Sequence, residues 1–170
     1  LCNEISSSVG HTRPLTQRKK QDVPSLPTIA KELQAAEDEF GGIDINLQKN
    51  TISVVTEPST LEYTYLGPFK IELQVGQLSQ NAPFEVIALE PNPASQDETV
   101  THPHVSNDKL CQGDGSAAIG QALGSGRVLD FFTLVANILK TYCSGGAYVE
   151  LDEWDGIACH DCGFTVTRDN

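Results

Sequence analysis

The sequence predicts an α+β fold, in which an antiparallel β-meander is backed by an N-terminal helix and a C-terminal core helix. A short cysteine-containing hairpin follows. Apolar residues recur at helical spacing over 29–40 and 127–142. Between 43 and 90 the apolar residues alternate with polar ones, and turn-forming residues separate the alternating pieces. The chain has 170 residues, which is the length of a single domain.

The first 27 residues are predicted to be a flexible N-terminal arm. They are rich in Ser, Gln and Pro and hold few large apolar side chains, so they cannot form a core. The arm ends at Pro24–Pro27, and the predicted domain covers 28–170. The basic tract QRKK at 17–20 indicates a solvated arm, with contact to an acidic partner as the alternative.

The first predicted helix covers 29–40 and takes Thr28 as its N-cap. Gly41 and Gly42 end it, because glycine adopts the backbone conformation that closes a helix. Its apolar side chains share one face and recur every three or four residues: Ile29, Leu33, Ala36 and Phe40.

The meander is predicted to contain five strands separated by short turns. The alternation is complete in the fourth, so one face of the sheet is buried and the other meets water. The five strands are Ile43–Gln48, Thr51–Thr56, Leu61–Leu66, Phe69–Val75 and Phe84–Leu89.

The second half of the chain is predicted to begin with a long loop over 91–126 that carries one short helix near 116–123. The segment 127–142 has the widest apolar stripe in the chain and is predicted to pack on the sheet. We expect a strand at 147–151 and a closing hairpin at 157–167.

The aromatic and acidic residues at 148–155 alternate closely. We expect Tyr148 and Trp154 to pack the C-terminal strand while the neighbouring acids face water. The alternative is that they form a rim for an incoming lysine or a partner protein.

Composition excludes several classes of protein. Counting Gly and leaving out Tyr, 76 of 170 residues are apolar, about 45%, as in globular domains. No window approaches the length of a membrane span, and no secretory signal is visible. Because the chain starts at Leu1 and contains no Met, we expect a processed or trimmed product.

Charge argues against nucleic-acid binding. Residues 26–170 hold seven basic and 21 acidic residues, a net charge of −14. A body this acidic repels phosphate backbones, so neither nucleic acid nor a membrane is an expected partner. Five cysteines, an odd number, in a chain long enough to build its own core favour a reducing, cytoplasmic compartment with metal-binding or reactive thiols.

A His-Pro-His motif at 102–104 lies between the meander and Cys111, and the helix 127–142 follows. This order of helix, meander, His-Pro motif, cysteine and crossing helix resembles the ubiquitin-conjugating enzyme superfamily and its RWD-type relatives, over about 115 residues. The sequence is most similar to divergent bacterial members, several of which carry the same His-Pro-His form.

The resemblance implies a fold and a set of roles. Cys111 would accept a ubiquitin-like modifier as a thioester from an activating enzyme and pass it to an amine. His102 would shape the flap, which is the segment that carries the His-Pro motif, here 102–104. His104 stands where the family has an asparagine that supports the oxyanion, and a histidine can also donate a hydrogen bond there. The tryptophan-proline pair usual after the family's cysteine is replaced by a Gly-rich segment at 112–116.

Three roles are open to Cys111 on chemical grounds. A thiolate is strongly nucleophilic and its thioester stays reactive, so the residue could be catalytic. Its predicted place, on a loop just before a short helix, would let backbone amides stabilise the thiolate. It could instead ligate a metal or be a small buried apolar residue.

A second cluster, Cys159-His160-Asp161-Cys162-Gly163, indicates a zinc knuckle. A redox Cys-x-x-Cys usually opens a helix, whereas alternating strand residues follow here, so zinc is favoured over thiol–disulfide chemistry. A closed zinc site needs four ligands and this motif supplies two. The remaining candidates are His104, ranked first, then His102 and Cys111, with Cys143 and His160 also available.

These observations give two main hypotheses of function. The first is a conjugating enzyme whose partners are an activating enzyme and a ubiquitin-like modifier. The second is a catalytically inactive adaptor of the same fold, in which zinc would tie together three parts of the chain: the flap with His102 and His104, Cys111, and the closing hairpin with Cys159 and Cys162. If Cys111 is a zinc ligand, its thiolate is occupied and the adaptor hypothesis is favoured. A thiol–disulfide protein is a weaker third possibility.

Overall fold

The computed structural model describes residues 24–158 and 165–166. It confirms an α+β fold with antiparallel sheets and, within those residues, three α-helices: α1 (Leu26–Phe40), α2 (Ser116–Gly124) and α3 (Val128–Leu139). Most of the predicted arm and the Cys-x-x-Cys motif at 159–162 lie outside the described residues.

The described strands form four antiparallel sheets. The largest has the order β1-β2-β5-β6 and is the predicted meander, into which the β3–β4 hairpin is inserted. The strands are β1 (Asp44–Asn46), β2 (Thr51–Val55), β3 (Ser59–Leu61), β4 (Thr64–Gly67), β5 (Phe69–Gln74), β6 (Phe84–Ala88), β7 (Val100–His102), β8 (Val105–Ser106), β9 (Lys109–Leu110), β10 (Ile157–Ala158) and β11 (Thr165–Val166).

Helix α1 begins three residues before the predicted start. Its N-cap is Ser25, whose hydroxyl accepts a hydrogen bond from the Thr28 backbone N–H at 3.3 Å, so the prediction of Thr28 as the cap was wrong. Pro27 is tolerated because a first-turn residue needs no intrahelical N–H bond. Gly41 ends the helix at φ 71°, as predicted.

The predicted strand Leu61–Leu66 is a hairpin instead. Glu62 and Tyr63 have φ of 44° and 74°, which is the signature of a two-residue type I′ turn. β3 ends at Leu61 and β4 starts at Thr64. Such turns usually contain Gly or Asn, so the Glu-Tyr pair gave no turn signal.

The core lies between the meander and α3. Phe69, Ile71 and Leu73 alternate on the inner face of β5 and are buried, as the period of two predicts. Phe131 of α3 meets Phe84 of β6 edge to face, with ring centroids 5.2 Å apart. The predicted role of this helix as a core element is therefore confirmed.

The C-terminal segment differs from the predicted strand at 147–151. Short 3₁₀ turns occupy Ser144–Gly146 and Leu151–Glu153. Trp154 is fully buried and donates its indole N–H to the Asn92 carbonyl at 3.0 Å. Burial of Trp154 is as expected, and its indole is bonded to the loop after β6. Tyr148 is 53% exposed, so the expectation that it packs was wrong. β10 and β11 pair antiparallel on either side of the Cys-x-x-Cys segment.

Candidate functional site

The candidate site is built on the three-stranded antiparallel sheet β7-β8-β9, whose β8–β9 hairpin leads to Cys111. This sheet lies inside the segment 91–126 that the sequence predicted to be a loop with one helix, so that prediction was incomplete. Asn107 and Asp108 occupy the β8–β9 turn with φ of 50° and 60°, a region these short polar residues tolerate better than most. The Asp108 carbonyl accepts the Val86 N–H at 2.9 Å, which attaches this hairpin to β6 of the meander. The two-residue turn sets the register that brings the following cysteine back beside the His-Pro-His motif.

Cys111 lies immediately after β9. Its backbone N–H donates to the His104 carbonyl at 2.8 Å, which extends the hairpin pairing by one bond. The thiol is free, and the residue as a whole is partly exposed. The structure thus places Cys111 beside the His-Pro-His segment, as the predicted site requires.

His102 is fully buried, and both of its ring nitrogens have backbone partners. Nδ1 accepts the His104 N–H at 3.0 Å, and Nε2 lies 3.1 Å from the Leu139 carbonyl. A carbonyl only accepts, so Nε2 carries the proton of a neutral imidazole. Burial lowers the pKa of His102 to about 4, although the hydrogen bond to Leu139 opposes that shift.

The Leu139 carbonyl, at the C-terminal end of α3, accepts a second hydrogen bond. Ser59 of β3 donates its hydroxyl to the same oxygen at 3.1 Å. The last carbonyls of a helix have no intrahelical partner, and two side chains satisfy this one. His102 and Ser59 therefore fix the end of α3 to the flap and to the β3–β4 hairpin.

His104 is also nearly buried and binds the loop that follows α3. Its Nδ1 donates to the Gly146 carbonyl at 3.2 Å, and its Nε2 accepts the Cys143 N–H at 3.3 Å. These two bonds require the neutral tautomer protonated on Nδ1. The side chain thus spans the 143–146 loop and holds it against the flap.

Two more hydrogen bonds fasten the same loop. The Tyr148 N–H donates to the Pro103 carbonyl at 2.7 Å. The Tyr142 hydroxyl accepts the Leu151 N–H at 3.2 Å. The sequence predicted Tyr142 only as part of an apolar stripe, since nothing in a single sequence shows which backbone group meets its hydroxyl.

The predicted zinc ligands are not assembled by the described residues. Within 24–158 and 165–166 no three His, Cys, Asp or Glu side chains are arranged to hold a metal. The rings of His102 and His104 have no free lone pair, because each acceptor nitrogen already takes a backbone N–H. Zinc at these histidines would require breaking those bonds. Cys159 and Cys162 lie outside the described residues, and their ligation stays a prediction.

The segment after Cys111 leads into a helix. A 3₁₀ turn at Gly113–Gly115 runs directly into α2, which begins at Ser116 and matches the predicted short helix. The N-terminal amides of a helix point away from its body and favour nearby negative charge. Cys111 therefore stands at the entrance of a helical segment, as the sequence predicted.

Comparison with known proteins gives no match: no family model, no curated protein and no solved structure is similar enough to this chain to count as a relative. Among the helices that the structure describes, none is both long and apolar enough to cross a membrane. The function must therefore be inferred from the site itself.

Proposed function

We propose that this protein is a conjugating enzyme that carries a ubiquitin-like modifier as a thioester on Cys111 and transfers it to an amine. The observation that supports it most is the position of Cys111, a partly exposed residue with a free thiol at the end of β9, whose backbone N–H is bonded to the His104 carbonyl. A nucleophile on a braced hairpin needs little reorganisation to meet a large acylated partner.

The chemistry requires two acyl transfers at one sulfur. The Cys111 thiolate attacks the carbonyl carbon of the modifier's thioester on an activating enzyme, and that enzyme's thiolate leaves with the electron pair. An amine nitrogen then attacks the same carbon and loses a proton to solvent, and the Cys111 thiolate departs. Neither step needs an organic cofactor.

Within this proposal the two histidines are positioning residues. His102 holds the flap to the end of α3, and His104 holds the 143–146 loop beside the flap. The oxyanion role predicted for His104 would need an N–H that is free to turn toward the thioester. The one N–H of the neutral ring donates to the Gly146 carbonyl, so we propose that the main contribution of His104 is to position the 143–146 loop.

A catalytically inactive adaptor is the second candidate, and it is favoured by the hydrogen bonds of the His104 ring. Both ring nitrogens of His104 are hydrogen-bonded to backbone groups, so the ring has no N–H left to donate to an oxyanion. In this case the flap and loop would form a rigid surface for partner proteins. The cysteine would then be expendable for binding.

Zinc is part of either proposal. β10 and β11 pair antiparallel, so the chain enters and leaves the Cys-x-x-Cys segment at neighbouring points. A structural zinc needs cysteines that are held close together, which supports a site here. We propose a structural zinc there that stabilises the closing hairpin. The free thiols of Cys111 and Cys143, with the odd number of cysteines, support a reducing, cytoplasmic compartment.

The deciding experiment is a thioester assay with ATP and a panel of activating enzymes paired with their ubiquitin-like modifiers. The wild-type chain should gain one modifier in an adduct that a reductant removes. Cys111→Ser should give either no adduct or an ester that resists reductant, because an oxygen ester is not cleaved by thiols.

Cys143→Ser is the matched control, since Cys143 is the other described free cysteine and lies beside the same histidine. It should charge like the wild type. An adduct that survives Cys111→Ser but vanishes with Cys143→Ser would contradict the proposal. A folded chain that no pair in the panel charges would favour the adaptor.

A further inference from the structure

Cys111 and Cys143 are the free cysteines that the structure describes, and the backbone of each is hydrogen-bonded to His104. The Cys111 N–H donates to the His104 carbonyl at 2.8 Å, and the Cys143 N–H donates to His104 Nε2 at 3.3 Å. Residues bonded in this way across an antiparallel hairpin have Cα atoms about 5.5 Å apart. One histidine therefore holds two thiols from distant parts of the chain in the same neighbourhood.

Both cysteines are open to a small oxidant. Cys143 is exposed and Cys111 is partly exposed, so a molecule as small as hydrogen peroxide can approach either residue. Among the residues that the structure describes, no group of three His, Cys, Asp or Glu side chains is arranged to hold a metal. A metal bound by those residues therefore does not compete for the two sulfurs.

The loop that carries Cys143 has few constraints. All four residues of the 143–146 loop are exposed, and a Cβ on Gly145 or Gly146 would meet no atom within 4 Å. Glycine adopts more backbone conformations than any other residue, so this segment can change its path without a clash. Its two bonds to the His104 ring, at 3.2 and 3.3 Å, are at the long end of the normal range.

We propose that Cys111 and Cys143 form a reversible disulfide when the protein meets a peroxide. One thiolate attacks a peroxide oxygen, the O–O bond breaks, and the leaving hydroxide takes a proton to become water. The second thiolate attacks the sulfur of the resulting sulfenic acid, the S–O bond breaks, and a second water leaves. The two thiols together lose two electrons, and the peroxide gains them.

The bond forms at the expense of the His104 contacts. A disulfide needs Cα atoms within about 7 Å of each other. The 143–146 loop makes this approach by releasing the hydrogen bonds that join it to the His104 ring. Because native bonds are lost, the disulfide is easily reduced, which is typical of regulatory disulfides and not of structural ones.

The disulfide would also stop acyl transfer at Cys111, because a sulfur bound to sulfur is no longer a nucleophilic thiolate. This consequence rests on the proposed conjugating function, whereas formation of the bond does not. A direct measurement of the bond needs no activating enzyme or modifier. Failure of the disulfide and failure of the conjugating function are therefore seen in separate experiments.

The test treats the reduced full chain with hydrogen peroxide and then blocks the remaining thiols with iodoacetamide. Digestion with trypsin and a glutamate-specific protease places Cys111 in the peptide 110–127 and Cys143 in the peptide 141–150, apart from Cys159 and Cys162. Mass spectrometry should find these two peptides joined, and a reductant should separate them. Cys143→Ser should abolish the joined peptides and leave Cys111 as a sulfenic acid that dimedone traps.

His104→Ala tests the geometry, because in this variant the loop has no ring contacts to release. The joined peptides should form at least about five times faster, the effect of losing one such hydrogen bond. The wild type in urea is the control, and its cysteines should pair without preference. Four results would overturn the proposal: single oxidation of both cysteines without joined peptides, Cys111 joined to Cys159 or Cys162 in place of Cys143, joining only between two copies of the chain, and slower joining in His104→Ala.

Discussion

The imidazole of His102 donates a hydrogen bond to the carbonyl of Leu139, 3.1 Å away and 37 positions along the chain. This bond joins the start of the flap to the end of the core helix, inside the protein. Because this imidazole is buried, its charged form is disfavoured in the folded protein, and the folded state is stable only while the ring is neutral. The stability of the whole domain is therefore linked to the protonation of one flap residue.

Acid should weaken the fold through His102. Its pKa is about 4 in the folded state and about 6.5 in an unfolded chain, so between these values the unfolded chain binds the proton better. The contribution is fully present above pH 6.5 and is lost as the pH falls to 4. The difference amounts to about 3 kcal/mol of unfolding free energy.

Urea unfolding of the wild type and His102→Gln at pH 7 and pH 4 measures this contribution. Carboxylates also titrate over that range, so the informative quantity is the difference between the two proteins. The wild type should lose about 3 kcal/mol more than the variant on acidification. Equal losses would show that His102 does not titrate in this way.

Removing the His104 ring should loosen the loop after α3. His104→Ala deletes the acceptor for the Cys143 N–H and the donor for the Gly146 carbonyl. Loss of one such bond is worth about 1 kcal/mol, so the Cys143 amide should exchange its hydrogen about five times faster.

Hydrogen exchange read by NMR checks this expectation residue by residue. Amides in the central strands, such as that of Ile71, are the internal control and should keep their rates. His104→Asn, which restores a donor and an acceptor on a shorter side chain, should recover part of the protection. Unchanged exchange at Cys143 in His104→Ala would contradict the bracing role.

Zinc content should show whether the metal is held by the Cys-x-x-Cys motif alone or also by the flap histidines. Protein purified without a metal-affinity tag should contain about one zinc per chain by elemental analysis. Cys162→Ser should remove the metal and lower the Tm, because zinc binding is coupled to folding. His104→Asn should retain zinc, since both ring nitrogens of His104 are hydrogen-bonded to backbone groups and are not free to bind a metal. Loss of zinc in His104→Asn would restore that histidine as the third ligand.

The relative reactivity of two cysteines tests activation of the thiol. Cys143 is exposed and Cys111 is partly buried, so exposure alone predicts faster alkylation of Cys143. If Cys111 is the acceptor, its sulfur must be the better nucleophile of the two, and it should react first in spite of its lower exposure. Mass spectrometry after timed iodoacetamide treatment gives both rates. Slower alkylation of Cys111 would contradict an activated thiol.

Periodicity predicted the parts of the fold that are long and amphipathic. α3 and the alternating strand β5 were predictable because each buries one regular face. The Glu62-Tyr63 turn was missed because neither residue type usually adopts a positive φ. Trp154 was expected to be buried, but its bond to Asn92 joins two irregular segments and leaves no periodic trace.

The sequence predicted only those parts of the site whose residues lie close together along the chain. Cys111 comes back to His104 through a two-residue turn, a spacing that the sequence displays directly. The meeting of Ser59 and His102 at the Leu139 carbonyl joins three distant parts of the chain. Such a meeting depends on how the layers pack, and a single sequence does not encode it in any local pattern.

Helix α3 carries a different feature at each of its ends. Val128 at its first turn lines an apolar cavity of about 310 Å³, and the Leu139 carbonyl at its last turn accepts the hydrogen bond of the buried His102. The helix has 12 residues and is about 18 Å long. Because the His-Pro-His segment is attached to the last carbonyl of α3, a substitution that kinks this helix would also displace the segment beside Cys111.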